Sequence, residues 1–494
     1  MELCYFILLP IFFFLAKSLF HKSSHRKLPP GPAGFPILGS LPHLGPKVHE
    51  SLFQMAKRHG PLMTLRLGAI TTVVASSPEA AQEILGKNDR AFSERPVPDV
   101  ISAQPGPEFS LAWVPGDHAW RNRRRICTTH LLSPHRLNAL QHLRQEKVQQ
   151  LLRHIEKKHV NTGEPVDIGK VAYATSLNLV SSTLFSANVI DPEFETAQEF
   201  KDVVWRIMEA AGKPNLSDYF PLIRWFDLQG IKRHVKSSYL RLHEIFDEII
   251  EKRLKDRAAK SATRIDDFLD VLLDLCQEEG SGFDHQNIKP LILCLFIAGS
   301  DTTAITVEWA MAELLRKPSV LQKARQELLT VVGTKRPLQE SDIDKLPYLQ
   351  AIVKETMRLH PAGPLLLPYR AKTDTEVLGY VIPKGIQVFV NAWAIARDSN
   401  YWIEPMEFRP ERFTGSSVDF KGRNFEYLPF GAGRRVCPGM PLAARMVHLT
   451  VGSLVQAFDW QLPGGILPGE LDMEEKFGVT LKKAVPLCAI PRVD

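Results

Sequence analysis

The sequence predicts a mainly α-helical protein with small β-sheets, and three observations support that class. Helical periodicity dominates, with amphipathic patterns at 137–158, 197–211 and 239–259. Strand-like alternation is confined to short segments, of which Leu62–Leu67 and Ile70–Ala75 predict a hairpin. Hydrophobic residues make up 44% of the 494 residues, which is enough to build a large packed core.

Composition and charge exclude several classes of protein. With 23% charged residues beside the 44% hydrophobic ones, the chain is neither disordered nor a disulfide scaffold. The net charge is +6, and residues 1–27 carry +3 of it, from four basic residues and one acidic residue. The remainder is too mildly basic to indicate nucleic-acid binding. Six scattered cysteines without a CxxC pair argue against a structural zinc site and favour a reducing compartment.

The N-terminal segment, residues 1–27, predicts a membrane signal anchor with a basic flank. Residues 3–16 are apolar, and extension to Phe20, with Lys17 snorkelling, gives eighteen residues, within the about 17–25 that a spanning helix needs. A cleaved signal peptide is disfavoured because the basic cluster follows the apolar stretch and no A-x-A-like site is present. The positive-inside rule then leaves the body in the cytoplasm. Four prolines make residues 28–36 a stiff hinge, and one catalytic domain is expected at 37–494.

A long apolar helix is predicted from about Ile288 to Lys317. Its thirty or so residues would extend roughly 45 Å at 1.5 Å per residue, so the helix must cross the core. The sequence Ala-Gly-Ser-Asp-Thr-Thr at 298–303 interrupts the apolar pattern. Glycine and hydroxyl residues predict a loosened or bent helix there. Taken alone, the segment is equally well interpreted as a structural kink whose backbone groups are hydrogen-bonded and which has no functional role.

Two further patterns precede the C-terminal region. A helix predicted at 349–360 carries Glu355 and Arg358 three residues apart on one face. Taken alone, such a pair is usually a surface salt bridge of ~0–1 kcal/mol, and Arg412 alone is usually a solvated residue. Strands are predicted at 377–382 and 386–390.

A glycine-rich loop at 430–439 delivers Cys437 to the start of a helix predicted at 442–458. Backbone N–H groups and the helix dipole at such a position favour thiolate over thiol. Glycines let other backbone, or a flat ligand, come close to the loop. A buried, inert cysteine is the usual alternative, and the ten-residue pattern disfavours it.

These motifs resemble those of the cytochrome P-450 superfamily of haem-thiolate monooxygenases. The pattern F-x-x-G-x-R-x-C-x-G is met by Phe430, Gly433, Arg435, Cys437 and Gly439. Four other matches, in the expected order, are Trp120 with Arg124 (W-x-x-x-R), Ala298 to Thr303 (A-G-x-D-T-T), Glu355 with Arg358 (E-x-x-R), and Arg412 in Pro410 to Phe413. The similarity extends from the anchor to the end of the chain, and implies the P-450 fold.

The resemblance also implies a cofactor and residue roles. Cys437 would be the axial thiolate ligand of haem b, in a loop shaped by Phe430, Gly433 and Gly439. Donors suited to the haem propionates are Trp120, Arg124 and Arg435. Asp301 and Thr302 would supply protons during oxygen activation. The set Glu355, Arg358 and Arg412 would form a buried structural triad. One atypical position is Tyr369, where a basic or imidazole residue is expected near a propionate.

Within the superfamily the chain resembles plant microsomal geraniol hydroxylases and related terpenoid hydroxylases. This implies an endoplasmic-reticulum enzyme, single-pass in the membrane, that receives NADPH electrons through a P-450 reductase and hydroxylates a small lipophilic substrate with O₂. The substrate class expected is a monoterpene alcohol or a diterpene. Candidate pocket walls are Phe109, Leu111, Leu293, Phe296, Ile297, Ala298, Leu365, Leu366, Phe477 and Val479.

Three alternatives to that function stay open from sequence. One is a P-450 acting on a phenolic or other aromatic metabolite, and another is a rearrangement enzyme that needs no reductase. The third is a non-catalytic haem sensor. The intact Asp301-Thr302 pair favours oxygen activation over the last two. A basic face around Arg434, Arg435 and Arg445 could dock an acidic reductase.

Overall fold

A computed structural model describes residues 28–106, 110–189, 197–259 and 265–493. The predicted anchor, residues 1–27, and the predicted wall residue Phe109 lie outside the described residues. Helices account for most of the described chain, and the strands are short, so the predicted class is confirmed.

The helices and strands have the following bounds. The α-helices are α1 (Val48–His59), α2 (Pro78–Gln82), α3 (His118–His130), α4 (Pro134–Ala139), α5 (Gln141–Ile155), α6 (Ile168–Phe185), α7 (Ala197–Gly212), α8 (Leu216–Tyr219), α9 (Ile231–Ala258), α10 (Phe268–Gln277), α11 (His285–Arg316), α12 (Pro318–Val331), α13 (Pro347–Leu359), α14 (Ala392–Ile395) and α15 (Met440–Ala457). The strands are β1 (Leu62–Leu67), β2 (Ile70–Ala75), β3 (Val166–Asp167), β4 (Tyr369–Arg370), β5 (Thr375–Val377), β6 (Tyr380–Ile382), β7 (Gln387–Val390), β8 (Asp459–Gln461), β9 (Glu475–Phe477), β10 (Leu481–Lys483) and β11 (Cys488–Arg492).

Helix α11 is the axis of the helical core, as its length and apolarity predicted. Asp284 caps its start by accepting the N–H groups of Gln286 and Asn287, and the helix ends where Pro318 begins α12. It packs along α6 and also against α13 and α15. Within the described residues, α11 is the one helix that is long and apolar enough to span a membrane. However, 67% of its most apolar 18-residue stretch is buried within the fold.

The polar segment at 298–303 lies within the continuous helix α11. Its hydroxyl groups bond back to carbonyls one turn earlier, as the sequence predicted for such residues. Ser300 donates to the Phe296 carbonyl at 2.8 Å and Thr302 to the Ala298 carbonyl at 2.8 Å. The hydroxyl groups of this polar segment therefore have hydrogen-bond partners within the helix itself.

A four-stranded sheet lies beside the helices, in the order β1-β2-β7-β4. The predicted hairpin is confirmed, with Leu62 opposite Ala75. Strand β7 joins β2 in parallel and β4 in antiparallel fashion. The strand predicted at 377–382 is instead the β5–β6 hairpin, because Leu378 and Gly379 adopt φ of 50° and 78° and reverse the chain.

Candidate active site

The loop before α15 brings Cys437 to the helix start in a fixed conformation. The Cys437 N–H donates to the Phe430 carbonyl at 3.0 Å, which closes the loop. Gly431 and Gly433 have φ of 69° and 66°, where other residues are strained. A Cβ on Gly433 would also lie 2.0 Å from the Leu85 carbonyl oxygen. Glycine is therefore required there by both conformation and space.

The environment of Cys437 combines opposing effects on its thiol. Burial raises the pKa of Cys437, while the backbone N–H groups of Gly439 and Met440 and the charge of Arg124 lower it. The backbone N–H contributions are those that the loop sequence predicted, whereas Arg124 comes from α3. The burial that opposes them is a tertiary property, which the loop sequence does not reveal.

Accessible surface on the central helix α11 and at Cys437 indicates an internal cavity. Ala298 is exposed although it lies midway along the central helix, and Thr302, one turn later, is partly exposed. The thiol of Cys294, one turn before Ala298, adds slightly to the raised pKa of Cys437, so this part of α11 and the cysteine loop lie in the same region of the fold. Accessible surface this deep in the fold means that α11 and the loop border an internal space.

Two predicted arginines border the same region. Arg124 lies on α3, whose start is capped by Asp117, and donates to the Val436 carbonyl at 2.8 Å. Arg435 donates to the Val114 carbonyl at 2.6 Å, and its guanidinium lies 4.2 Å from the ring centre of Trp120. The structure thus brings Trp120, Arg124 and Arg435 together beside Cys437.

Arg95 is a further basic residue here, which the sequence analysis missed. It is 6% exposed, donates to the Pro368 carbonyl at 2.8 Å, and lies 4.1 Å from the ring centre of Tyr369. Its buried Nε has no hydrogen-bond partner. Burial lowers the pKa of Arg435, and the charge of Arg95 acts in the same direction. No sequence motif indicates Arg95, because its partners are the carbonyls of Leu367 and Pro368, more than 270 residues later in the chain.

These arginines form a positive cluster, buried at Arg95 and half-buried at Arg124 and Arg435, that ion pairs do not compensate. Within the described ranges, no carboxylate pairs with Arg95, Arg124 or Arg435. Uncompensated buried cations are costly unless a ligand supplies the opposite charge. A flat group with two carboxylates, ligated by a sulfur, fits this cavity between the cysteine loop and α11. Haem is such a group, and its propionates would meet the arginine cluster.

The predicted triad Glu355, Arg358 and Arg412 is assembled, with Glu355 and Arg358 buried and Arg412 half-buried. Arg358 donates two hydrogen bonds to Glu355, at 2.7 and 2.9 Å, and Arg412 donates one at 2.9 Å. Glu355 and Arg358 are both 0% exposed. Arg358 also donates to the carbonyls of Ala396 and Pro405, so α13 is fixed to the segment that leads to the cysteine loop.

Asp301 and Thr302 are neighbours on α11 but face different surroundings. The Thr302 hydroxyl borders the cavity that contains Ala298. Asp301 is 5% exposed, and its Oδ2 accepts a hydrogen bond from the Thr480 hydroxyl at 2.8 Å. Burial raises the pKa of Asp301, and Thr480 and Lys482 lower it.

The predicted pocket walls differ in where they lie. Ala298 is exposed and Ile297 is partly exposed on α11, and Leu366 lies against Gly431 of the cysteine loop. Three others, Leu111, Leu293 and Phe296, are buried in the main hydrophobic core. Leu365 and Phe477 belong to a separate cluster beside α1, where the Phe477 ring stacks on His49 at 5.3 Å. Val479 is bonded through its N–H to the Met208 carbonyl at 3.0 Å.

Comparison with known proteins settles the family. The model of the family described as cytochrome P-450 matches residues 29–486. The chain is a cytochrome P-450. Family membership brings a haem iron held by a cysteine thiolate, the group that the cavity, Cys437 and the arginine cluster fit.

Relatives and a solved structure agree with this assignment. The P-450 is 46% identical over 483 residues to geraniol 8-hydroxylase of Swertia mussotii, covering 98% of this chain and 97% of the relative. It is 47% identical over 481 residues to geranylhydroquinone 3''-hydroxylase of Arnebia euchroma, covering 97% and 96%. A zebra fish cytochrome P-450 solved with abiraterone superposes with a TM-score of 0.76 at 27% identity, covering 91% of this chain and 100% of that one. The enzyme is therefore a monooxygenase.

Proposed function

We propose that this P-450 hydroxylates a lipophilic terpenoid, with electrons that an NADPH-dependent flavoprotein reductase supplies. The observation that carries the proposal is the cavity between Cys437 and the Ala298–Thr302 face of α11. The bound haem supplies an iron at which O₂ is activated for insertion of one oxygen atom into a C–H bond.

The residues of the chain supply ligation, charge and shape around that group. Cys437 provides the thiolate, which donates electron density and favours O–O cleavage. Arg95, Arg124 and Arg435 would hold the propionates. The exposed Ala298 offers apolar surface to a substrate, which suits a hydrocarbon skeleton with few polar groups.

Thr302 has the position and chemistry to pass protons into the cavity. Its hydroxyl donates to the Ala298 carbonyl, and its oxygen lone pairs remain as acceptors. Thr302→Val keeps the size and removes the hydroxyl. We expect NADPH oxidation to continue while product formed per NADPH falls about tenfold and peroxide rises, since proton transfer normally contributes at least that much. An unchanged ratio, with peroxide assayed in parallel, means that Thr302 only packs against its neighbours.

The substrate class rests on the relatives and on the apolar cavity. Their names concern geraniol and geranylhydroquinone, both of which contain a geranyl chain. We expect monoterpene alcohols and diterpene hydrocarbons to shift the haem spin state when titrated into the purified protein, because an apolar ligand excludes water from the iron. A panel should include phenols matched in size. If only charged, water-soluble compounds bind and are turned over, the terpenoid assignment is contradicted.

A phenolic or other aromatic substrate is the second candidate. It is favoured by the relative named for geranylhydroquinone, whose name joins a geranyl chain to an aromatic ring. A rearrangement without reductase is less well supported because Thr302 borders the cavity and Asp301 is adjacent to it. The phenols in the panel separate the first two candidates.

Membrane attachment is proposed at the endoplasmic reticulum, through residues 1–27. A surface feature supports a membrane-facing side. Leu222, Trp225 and Phe226 are 81%, 94% and 69% exposed in the connection between α8 and α9. Gly68 links this connection to the segment that follows the hinge, since its N–H donates to the Leu38 carbonyl and a Cβ on it would lie 2.8 Å from the Phe220 ring. Exposed aromatic residues close to the start of the described chain suit a lipid interface.

A reductase would dock on the side of the cysteine loop. Arg434 is half exposed on that loop, and Arg445 lies on α15 behind it. Both already have acidic neighbours, Asp89 for Arg434 and Glu340 for Arg445. Their charge would steer an acidic partner toward the thiolate side of the haem.

A further inference from the structure

A second, polar cavity lies on another face of α11, away from Ala298. Asp301, Ala304, Ile305 and Glu308 line it at helical spacing, so they form one stripe along the helix. Lys201 of α7 and Lys482 of β10 close the other side. The cavity has a volume of about 40 Å³. That is too small for a terpenoid, which needs a pocket of about 300 Å³ or more.

We propose that this second cavity is the proton-uptake site of the enzyme, and that Glu308 relays protons from solvent to Asp301. The proposal rests on the monooxygenase function proposed above and assigns to it a residue and a route. Glu308 acts through Asp301 and touches neither haem nor substrate.

The geometry suits a water-filled relay. Asp301 and Glu308 are each 5% exposed, and each uses a carboxylate oxygen for one protein hydrogen bond. Thr480 donates to Asp301 at 2.8 Å, and the Leu487 N–H donates to Glu308 at 3.0 Å. Each carboxylate therefore keeps acceptor capacity for water. The two residues lie seven positions apart, about 10 Å along the axis, so water must bridge them.

The volume and lining make bridging water physically reasonable. A water molecule needs about 10–15 Å³ of such space and two to four polar partners. The 40 Å³ cavity meets the first condition, and Asp301, Glu308 and Lys482 meet the second. The Lys482 ammonium is placed at the cavity by the ring of Trp205, whose centre is 3.7 Å away.

The two carboxyl groups have environments suited to exchanging a proton. Burial raises the pKa of Glu308, and the charge of Lys201 lowers it. The pKa of Asp301 is likewise raised by burial and lowered by Thr480 and Lys482. Raised values bring the neutral form nearer to working pH, which is the condition for an efficient relay.

The proposed step moves only protons. A proton from bulk water binds a Glu308 carboxylate oxygen, leaves it for cavity water, and reaches the Asp301 carboxylate. Asp301 then passes it toward the Thr302 side of α11 and returns to its ionised form. Each turnover takes two electrons from NADPH through the reductase and two protons, and one oxygen atom leaves as water. No other co-reactant is needed.

Glu308→Gln tests the relay in the full-length haem enzyme with reductase. Glutamine keeps the volume and the carbonyl acceptor for the Leu487 N–H, and it cannot carry a relayed proton. We expect the haem spectrum and substrate spin shift to be unchanged, and product per NADPH to fall about tenfold with rising peroxide. Glu313→Gln is the matched control, because Glu313 is a buried glutamate of the same helix that bonds His360 instead of bordering the cavity.

Comparison with Thr302→Val separates the failure of this proposal from that of the proposed function. If Thr302→Val uncouples the enzyme and Glu308→Gln does not, the uptake route is wrong and the monooxygenase proposal stands. If neither uncouples, both proton assignments are overturned. Equal losses in Glu308→Gln and Glu313→Gln would also overturn the route, since they indicate a structural effect.

Glu308→Asp gives a second measurement if the glutamine variant does not fold. The shorter acid retains a titratable proton but lengthens the water path. We expect partial coupling and a larger slowing of product formation in D₂O than the native enzyme shows, because proton transfer becomes more rate-limiting. Identical solvent isotope effects in native and Glu308→Asp enzymes would contradict the relay.

Discussion

Arg358→Ala is expected to destabilise the folded protein by about 3–5 kcal/mol, the cost of removing one partner from a buried ion pair. Arg358 is 0% exposed and donates to Glu355, and to the carbonyls of Ala396, Pro405 and Glu407. Its loss leaves those carbonyls and part of the Glu355 charge without donors in a dry interior. Free energies of unfolding in urea, measured on native and variant haem protein, give the value.

Lys323→Ala is the matched control for the triad. Lys323 pairs with Glu411 at 2.7 Å on the surface, with 61% and 45% of the two side chains exposed. Such a pair is worth about 0–1 kcal/mol. Arg358→Lys keeps the charge but loses the fork of donors, so an intermediate loss is expected. A loss for Arg358→Ala no larger than that for Lys323→Ala would contradict the structural role of the triad.

The sequence predicted those features that short-range patterns encode. The length of α11 followed from its apolar run, and the β1–β2 hairpin from alternation about Gly68. The glycine at 433 followed from the motif, and the structure gives its physical reason in the closeness of the Leu85 carbonyl. These elements are set by neighbours in the chain.

Other features depend on contacts between distant parts of the chain. The helix predicted at 137–158 begins earlier and is divided at Leu140, whose ψ of 12° ends α4 before α5 begins. Ser133-Pro134, a capping residue followed by proline, was an available signal for that earlier start. Apolar periodicity alone does not reveal that the segment is divided into two helices at Leu140.

Motifs predicted the candidate site and several of its charged residues, but not the burial of Cys437 or the contribution of Arg95. Arg95 carries no pattern of its own, and it joins Tyr369 only because β4 pairs beside it. Phe477 was expected at the substrate, but its ring stacks on His49. The polar cavity beside Asp301 and Glu308 could not be predicted from sequence either, because Glu308 is one polar residue among several on a long helix.

The central claim is that Cys437 holds the haem through its thiolate. Cys437 lies at the start of α15, in a loop closed by its own N–H, and faces α11 across the cavity. Cys437→Ala removes the sulfur and leaves the glycine turns and the Glu355 triad in place. We therefore expect much of the fold to remain, and catalytic oxygenation to fall below detection.

The most direct measurement is the absorption spectrum of the reduced carbon monoxide complex, for native protein and Cys437→Ala side by side. Circular dichroism serves as the check that both are folded. We expect a strongly red-shifted Soret band in the native protein, as thiolate ligation produces, and its absence in the variant. A folded Cys437→Ala protein that keeps the red-shifted band would show that another residue ligates the iron, and would contradict thiolate ligation by Cys437.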